Sequence, residues 1–392
     1  MNESRGVGMG FFDNHGLSFR KKKALESDRT TDLLGIEKAQ KEAKIPEEKN
    51  NEILRRSLEY GLEAAPSIGD RTISTFTREP RPAYAGIPTF LRTPFLEDVR
   101  RVGEYDVAFL GVPFDIGTTY RAGARFGPEA IRRISKLYTS YSFEKGVDLV
   151  ESLNMCDVGD VFTIANIEKS FDQIYKAVSH VFSQGTLPVM LGGDHAIGYP
   201  CLRAIADHVD GNVGIIHMDR HLDLQEKDMD ERMHTTPWFH ATNIPNAPPS
   251  NLVQVGVGGW QVPRESVKNV RKLNTTVITI GDMERLGVEK VAEIALEKAW
   301  KGAKAVYLSV DIDSFDAGFV PGTGWPEPGG FLPREGLKFL DIVAREGICG
   351  MEVVEVSPPY DVSDQTALLA TRIIADVLAA MVDAGKIGKK FS

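Results

Sequence analysis

The chain has little cysteine: Cys156, Cys201 and Cys349 in 392 residues. Few, odd in number and far apart, they exclude a disulfide framework, fit a reducing compartment, and read as core residues. Positive charge is not in excess either. Lys and Arg total 46 against 55 Asp and Glu, a net charge of −9, so a nucleic-acid partner is not expected. The same sign favours cationic small molecules. The sequence shows no uninterrupted apolar run of bilayer length, and its N-terminus lacks the apolar segment of a signal peptide. The expectation is a cytoplasmic protein with no membrane partner. Internal repeats and low-complexity domains are also lacking. What remains is an ordinary globular composition, 42% hydrophobic and 26% charged, long enough for one large domain or two ordinary ones.

The chemistry begins at an apolar run, Val213 to Met218, that ends in Asp219-Arg220-His221-Leu222-Asp223. In a strand, residues i, i+2 and i+4 share one face, so Asp219, His221 and Asp223 converge if the extended geometry persists. A second run, Ala305 to Leu308, leads into Ser309-Val310-Asp311-Ile312-Asp313-Ser314-Phe315-Asp316, and a third, Leu187-Pro188-Val189-Met190, into Leu191-Gly192-Gly193-Asp194-His195. Three buried strands thus end in carboxylates and imidazoles. Burying such groups is costly unless they pair or hold a metal, and the mixture suits Mn²⁺, Ni²⁺, Fe²⁺ or Zn²⁺ better than Ca²⁺.

These runs sit in a regular alternation. Residues 1–20 are Gly-rich and read as an arm. Lys21 to Ala65 is highly charged, with one narrow helical stripe, Ile53, Leu54, Leu58 and Leu62, that needs a partner. Pro66 to Pro94 reads as an extended connector. The partition is an arm and connector over 1–100 and a catalytic domain over 101–392. Strands are expected at 107–112, 187–191, 213–218, 252–257, 276–280, 305–310 and 350–356. Helices are expected from Gly127-Pro128-Glu129, from a capping box at Ser170 to a stop at Gly185, near 198–208, and at 289–301, 333–346 and 363–384. Near-continuous apolar strands alternating with amphipathic helices mean an α/β fold with a parallel sheet covered on both faces. Its site lies beyond the carboxyl ends of the strands.

Gly192-Gly193-Asp194-His195, the Asp219-x-His221-x-Asp223 box and Ser309-x-Asp311-x-Asp313-x-x-Asp316, in this order, resemble the three signatures of the ureohydrolases (arginases, agmatinases, guanidinobutyrases, formiminoglutamases and guanidine hydrolases). Gly111-Val112-Pro113-Phe114-Asp115, Gly123-Ala124-Arg125-Phe126-Gly127-Pro128 and Glu352 to Asp361 resemble the agmatinase-like branch. The resemblance covers roughly 100–385 and implies a three-layer α/β/α fold, arginase-like, with a mainly parallel eight-stranded sheet. It also implies two divalent metal ions per subunit, Mn²⁺ as the family default or Ni²⁺ for a guanidine hydrolase. By motif, His195, Asp219, Asp223 and Asp311 hold one ion and His221, Asp219, Asp311 and Asp313 the other. With a hydroxide included, such a site carries about one net negative charge before Glu355 is counted, which complements a guanidinium.

Carried over the same way, Glu355 anchors the guanidinium and Asp223 takes part in proton transfer. His234, in Met233-His234-Thr235-Thr236-Pro237, lines the site and relays protons; Thr235 stands where relatives carry a glycine. Asp194 and Asp316 are candidates to orient ligands, and His217 has no settled place. His15, His180, His208 and His240 lack ligand spacing.

The substrate is where relatives differ most. Trp325 stands where they usually show threonine, and Arg220 where they usually show alanine. Trp238 follows the His234 loop. These changes add bulk, with Trp325 and Thr236 among the substrate contacts, and favour free guanidine, giving urea and ammonia. The alternative is an agmatinase or guanidinobutyrase. Rivals from other classes are a single-zinc deacetylase and a degenerate binding protein. A small cationic guanidino compound is the expected partner, with a homohexamer, contacts from residues 20–100, and a metal-delivery accessory protein as further expectations.

Overall fold

The computed structural model describes residues 64–66, 72–74 and 83–389. The chain falls into two compact units, Met1–Arg78 and Glu79–Ser392. In the first, β1 (Ala64–Pro66) pairs antiparallel with β2 (Thr72–Ser74). The helical stripe expected at Ile53 to Leu62, and His15, lie outside the described residues.

The second unit is built on one sheet. Its strands are β3 (Val107–Gly111), β6 (Met155–Asp160), β7 (Leu187–Leu191), β8 (Asn212–Met218), β9 (Leu252–Val257), β10 (Thr276–Thr279), β11 (Ala303–Asp311) and β12 (Gly350–Val354); a small hairpin, β4 (Tyr141–Ser142) and β5 (Val147–Asp148), stands apart. The order is β10-β9-β8-β11-β12-β7-β3-β6, and every pairing is parallel. The expected eight-stranded α/β/α architecture is present.

The sheet is apolar on both faces because helices cover both. Alternate residues of each strand enter different cores: Val107 and Phe109 join Ile216, Met218, Val253 and Val255 on one side, and Ala108 and Leu110 join Met190 and Ile215 on the other. The first core is covered by helices Gly127–Ser135, Val288–Ala299, Pro333–Ala344 and Gln365–Asp383, the second by Ile167–Ser183 and Gly198–Ala206. Each large apolar side chain so buried contributes about 1.5–3 kcal/mol.

Five expectations need correction. The helix expected to start at Ser170 starts at Ile167, capped by Asn166, whose Oδ1 accepts from Lys169 N at 2.9 Å. Ser170 sits inside it, its hydroxyl bonded back to Ile164. Asparagine caps as well as serine, but Asn166 has Lys169 three positions on, not the Glu or Gln that makes a capping box legible. β6 went unread because Asp157, Gly159 and Asp160 interrupt its pattern. β12 stops at Val354, not 356, because Glu355 turns left-handed at φ 63°. Gln365–Asp383 is long and apolar enough to cross a bilayer by length and composition, at mean hydropathy 1.5, yet 61% of that stretch is buried inside the fold. Ile373, Ile374, Val377 and Leu378 explain why: they face the core. Residues 83–100, read as connector, belong to the compact unit; Phe90 is fully buried, its ring 4.5 Å from Phe109.

Candidate metal centre and active site

Four adjacent strands, β8, β11, β12 and β7, carry the site at their carboxyl ends. From β8 the chain steps one way to β9 and β10, and from β11 it steps the other way to β12. The order therefore reverses between β8 and β11, where such sheets bind ligands, and Asp219 and Asp311 emerge there.

Three turns bring the donors together. After β7, Gly193 packs so closely that a Cβ would lie 1.9 Å from Phe114 O, and Asp194 N donates to the same carbonyl at 2.7 Å. The turn aims His195 inward. Asp219 Oδ1 accepts from His221 N at 2.6 Å, and Asp311 Oδ1 from Asp313 N at 2.9 Å, so each first aspartate fixes the ligand two residues on. Asp223 and Glu355 both adopt left-handed backbone, at φ 45° and 63°. Such a conformation is rare for glutamate, and strain of this kind gathers at functional sites.

The donors form two groups sharing Asp219. His195 Nδ1 lies 3.2 Å from Asp219 Oδ2, 2.9 Å from Asp223 Oδ2 and 3.0 Å from Asp311 Oδ2. His221 Nδ1 lies 3.3 Å from both Asp219 Oδ1 and Asp313 Oδ2. All six residues expected from the sequence meet here. Burial alone would push both imidazoles down, but the surrounding carboxylates hold them well above their ordinary value. Burial also raises Asp311 well above the usual carboxylate range and Asp313 to about 7. Among the described residues no lysine or arginine pairs with these four aspartates, and Asp313 Oδ1 has no hydrogen-bond partner. So much buried carboxylate with so little cationic partner fits divalent metal ions, and the shared Asp219 fits two ions side by side.

Buried polar residues behind the donors orient them. His195 Nε2 is 2.9 Å from Ser309 Oγ, which donates to Glu352 Oε1 at 2.8 Å. The serine's one proton is thus committed to Glu352, so Nε2 donates to Ser309 and Nδ1 is turned to the cluster, where it would be free to bind a metal ion once its proton is displaced. His217 shares the face of Asp219 and is 2.7 Å from its Oδ2; Gln254 Nε2 donates to His217 Nδ1 at 3.0 Å. His217 is therefore a hydrogen-bond donor to a ligand candidate. Burial keeps it below the ordinary imidazole value. His221 Nε2 meets Gln261 Oε1 at 3.1 Å. The sequence reading gave no role to Ser309, Glu352, Gln254 or Gln261, although Ser309 and Glu352 stand in the motifs that carry the resemblance. Two of them carried a signal: a lone Gln or Glu inside an otherwise apolar buried strand has to be hydrogen-bonded.

A cavity of about 120 Å³ opens onto the cluster, lined among others by His221, Asp223, His234, Asp311, Trp325 and Glu355. Glu355 Oε1 accepts from His195 N and faces His234 Nδ1, both at 2.9 Å. His234 Nε2 lies 2.7 Å from Thr119 Oγ1, and Thr119 N donates to it at 3.2 Å. Burial opposes charge on His234, yet Glu355 raises it to about 9, so the Nδ1 proton is held at neutral pH.

Other assignments change. Thr236 does not line the cavity; its buried hydroxyl is engaged with Glu231 and Met233 inside the loop, and Thr235 lines it instead. Trp238 is fully buried and packs beneath the cluster, its ring 4.9 Å from His217 and 5.5 Å from His195. Arg220 points away from the cavity, to Gly256 O and Pro328 O. Asp316 staples a loop through Gly318 N and Gly329 N and touches no donor. Asp194 is buried beside Glu355, which together with burial pushes it to about 8. His180 and His208 make surface contacts, and His240 is half-buried.

The chain is similar to known proteins. Residues 105–380 match the Arginase family. The chain is 38% identical over 299 residues to proclavaminate amidinohydrolase of Streptomyces clavuligerus, covering 76% of this chain and 94% of that protein. It is 33% identical over 302 residues to guanidinobutyrase of Pseudomonas aeruginosa, covering 76% and 94%. The solved structure of the proclavaminate enzyme superposes with a TM-score of 0.72 at 36% identity, covering 77% of this chain and 99% of that one. Sheet order, clustered donors and these matches agree: the chain belongs to the arginase family, the metal-dependent hydrolases of guanidino groups.

Proposed function

We propose that this enzyme hydrolyses free guanidine to urea and ammonia. The observation that carries the reading is the wall formed by Trp325, whose ring lies 6.5 Å from that of His221 and 5.6 Å from that of Tyr120. It stands beside the cluster, where a substrate tail would leave. The cavity, about 120 Å³, is below the range of roughly 300–1,000 Å³ usual for larger ligands.

His195, Asp219, Asp223 and Asp311 would hold one divalent ion, and His221, Asp219, Asp311 and Asp313 the other. When bound, the two ions supply hydroxide near neutral pH and charge stabilisation for the developing tetrahedral carbon. Glu355 receives the guanidinium, its position fixed by the His195 and His234 N–H groups. Asp223 takes a proton from the attacking water and gives it to the leaving amine, and His234, held by Glu355 at Nδ1 and Thr119 at Nε2, relays protons along this path. Trp325 and the His234 loop limit access to water.

Ni²⁺ is the proposed ion for guanidine, with Mn²⁺ the default for a longer substrate. The protein works in the cytoplasm as a homohexamer, loaded by a metal-delivery accessory protein, and residues 20–100 contribute to its contacts. One feature favours a second reading, an agmatinase or guanidinobutyrase: the cavity continues past the cluster to Gln225, Asp228 and Ser266.

The test is kcat/KM for guanidine, agmatine, 4-guanidinobutyrate and arginine on protein loaded separately with Ni²⁺ and Mn²⁺. Guanidine is expected to lead. If agmatine or 4-guanidinobutyrate leads by about tenfold, or ~1.4 kcal/mol in transition-state binding, the substrate assignment fails and the family assignment stands.

A further inference from the structure

Arg220 lies between two donors in sequence, yet its side chain leaves on the opposite face, as strand alternation requires. It is 5% exposed. Its Nη1 donates to Gly256 O at 3.4 Å and its Nη2 to Pro328 O at 3.1 Å, and its Nε lies 3.7 Å from Glu327 Oε2. Glu327 is 7% exposed and accepts from Trp260 N at 2.6 Å through Oε1. Room for this pair is made by Gly259, whose φ is 77° and whose added Cβ would lie 2.2 Å from the Glu327 carboxylate. The pair thus ties together the end of β8, the loop after β9 and the segment 325–329.

Each tied segment supplies a site group. Two residues before Glu327 is Trp325, the cavity wall. One residue after Trp260 is Gln261, which meets His221 Nε2 and also donates to Pro326 O at 3.4 Å. We infer that Arg220 and Glu327 are positioning residues, a buried ion pair that fixes Trp325 and Gln261 relative to the donor cluster and so sets how long a guanidino compound the cavity accepts. The inference rests on the reading of this cavity as the guanidino site. A buried pair of this kind is a poor source of net stability but a good source of registry, since each charge is costly without the other. Arg220 suits the place because its planar fork reaches a carboxylate and two carbonyls at once, which a lysine cannot.

The test uses the full-length, metal-loaded protein carrying 5-fluorotryptophan, with the Trp325 resonance identified through Trp325→Phe. Arg220→Ala, Arg220→Lys and Glu327→Gln are compared for bound metal, fluorine spectrum, and kcat and KM on guanidine and 4-guanidinobutyrate. In Arg220→Ala the metal content is expected to hold and the Trp325 resonance to shift or broaden while those of Trp238 and Trp300 stay. KM for guanidine should rise about tenfold with kcat changed by no more than about threefold, and the preference should move toward the longer compound. Arg220→Lys should recover part of the loss. An unchanged Trp325 resonance and an unchanged substrate ratio in folded variants would overturn the inference, as would loss of metal in all three. If Arg220→Ala does not fold, Arg220→Lys and Glu327→Gln are judged by the same criterion. Should the wild type hydrolyse neither compound, the proposed function fails, and the fluorine spectrum still decides the positioning role.

Discussion

Two clusters of buried charge in this molecule have opposite characters. In the first, Arg132 leaves helix Gly127–Ser135 and meets Asp157 of β6 through Nε and Nη2, at 2.8 and 2.9 Å. The same guanidinium reaches Asp160 Oδ1 at 2.5 Å and Gly159 O at 2.9 Å. Asp157 Oδ2 also accepts from Phe90 N at 2.9 Å. Here charge and hydrogen bonds close on themselves. In the second, four aspartates surround two imidazoles, no arginine or lysine pairs with them among the described residues, and a carboxylate oxygen is left without a partner. A cluster satisfied within the chain holds the fold together. A cluster left short of positive charge is built for something that comes from outside.

Breaking the open cluster should have the largest effect on function. Asp219→Ala or Asp311→Ala is expected to lower bound metal toward zero and kcat/KM by at least ~10³, about 4 kcal/mol, measured by elemental analysis and urea release. With metal removed, Asp311→Ala should not melt below the wild type, because burial and the neighbouring Asp313 and Asp219 already disfavour the charged form of Asp311. His195→Ala or His221→Ala should preferentially weaken one ion. Near-normal activity in Asp311→Ala would remove the basis of the site assignment.

Breaking the closed cluster should do the reverse. Arg132→Ala leaves buried Asp157 uncompensated, which costs about 3–5 kcal/mol. Denaturant unfolding should show that loss, while the metal content of the folded fraction should match wild type. A variant that loses its metal and keeps its stability would erase the distinction between the clusters.

Metal removal sharpens the same contrast from the ligand side. Ions that bind only the folded chain stabilise it by about 4 kcal/mol when present at 1,000 times Kd. Chelation of the wild type should therefore lower the Tm, whereas chelation of Asp219→Ala should not move it. The smallest effect is at the rim. Trp325→Ala should leave metal and Tm unchanged but raise kcat/KM for 4-guanidinobutyrate relative to guanidine by about tenfold, ~1.4 kcal/mol.

Most of the fold could be read because parallel strands buried on both faces are apolar throughout, and the runs at 187–191 and 252–257 match their strands to the residue. The readings that failed involve polar residues whose role is settled at a distance. Ser170 had the chemistry of a cap and Asn166 took the place. β6 was hidden by Asp157 and Asp160, polar residues that belong in a strand only because Arg132 crosses from a helix to meet them. Trp238 and Trp325 are the same residue type flanking the same site, yet one is sealed beneath the cluster and the other lines the cavity.

By itself the sequence pointed to the donors, because Asp and His recur at the ends of three apolar runs; the spacing of two that brings His221 to Asp219 and Asp313 to Asp311 is kept past the strand ends by turns in which each aspartate accepts from the N–H two residues on. It determined the layered sheet, since periodicity is a local property. Only the tertiary structure decided which strands are neighbours, and so that the ends of β8, β11, β12 and β7 form one site. It alone decided that Gln261 and Ser309 orient the imidazoles, that Thr236 is spent on its own loop, and that Arg220 turns from the cavity to Glu327. Each of these depends on a partner 40 or more residues away or on which face a loop presents, and neither is written in the residue's own neighbourhood.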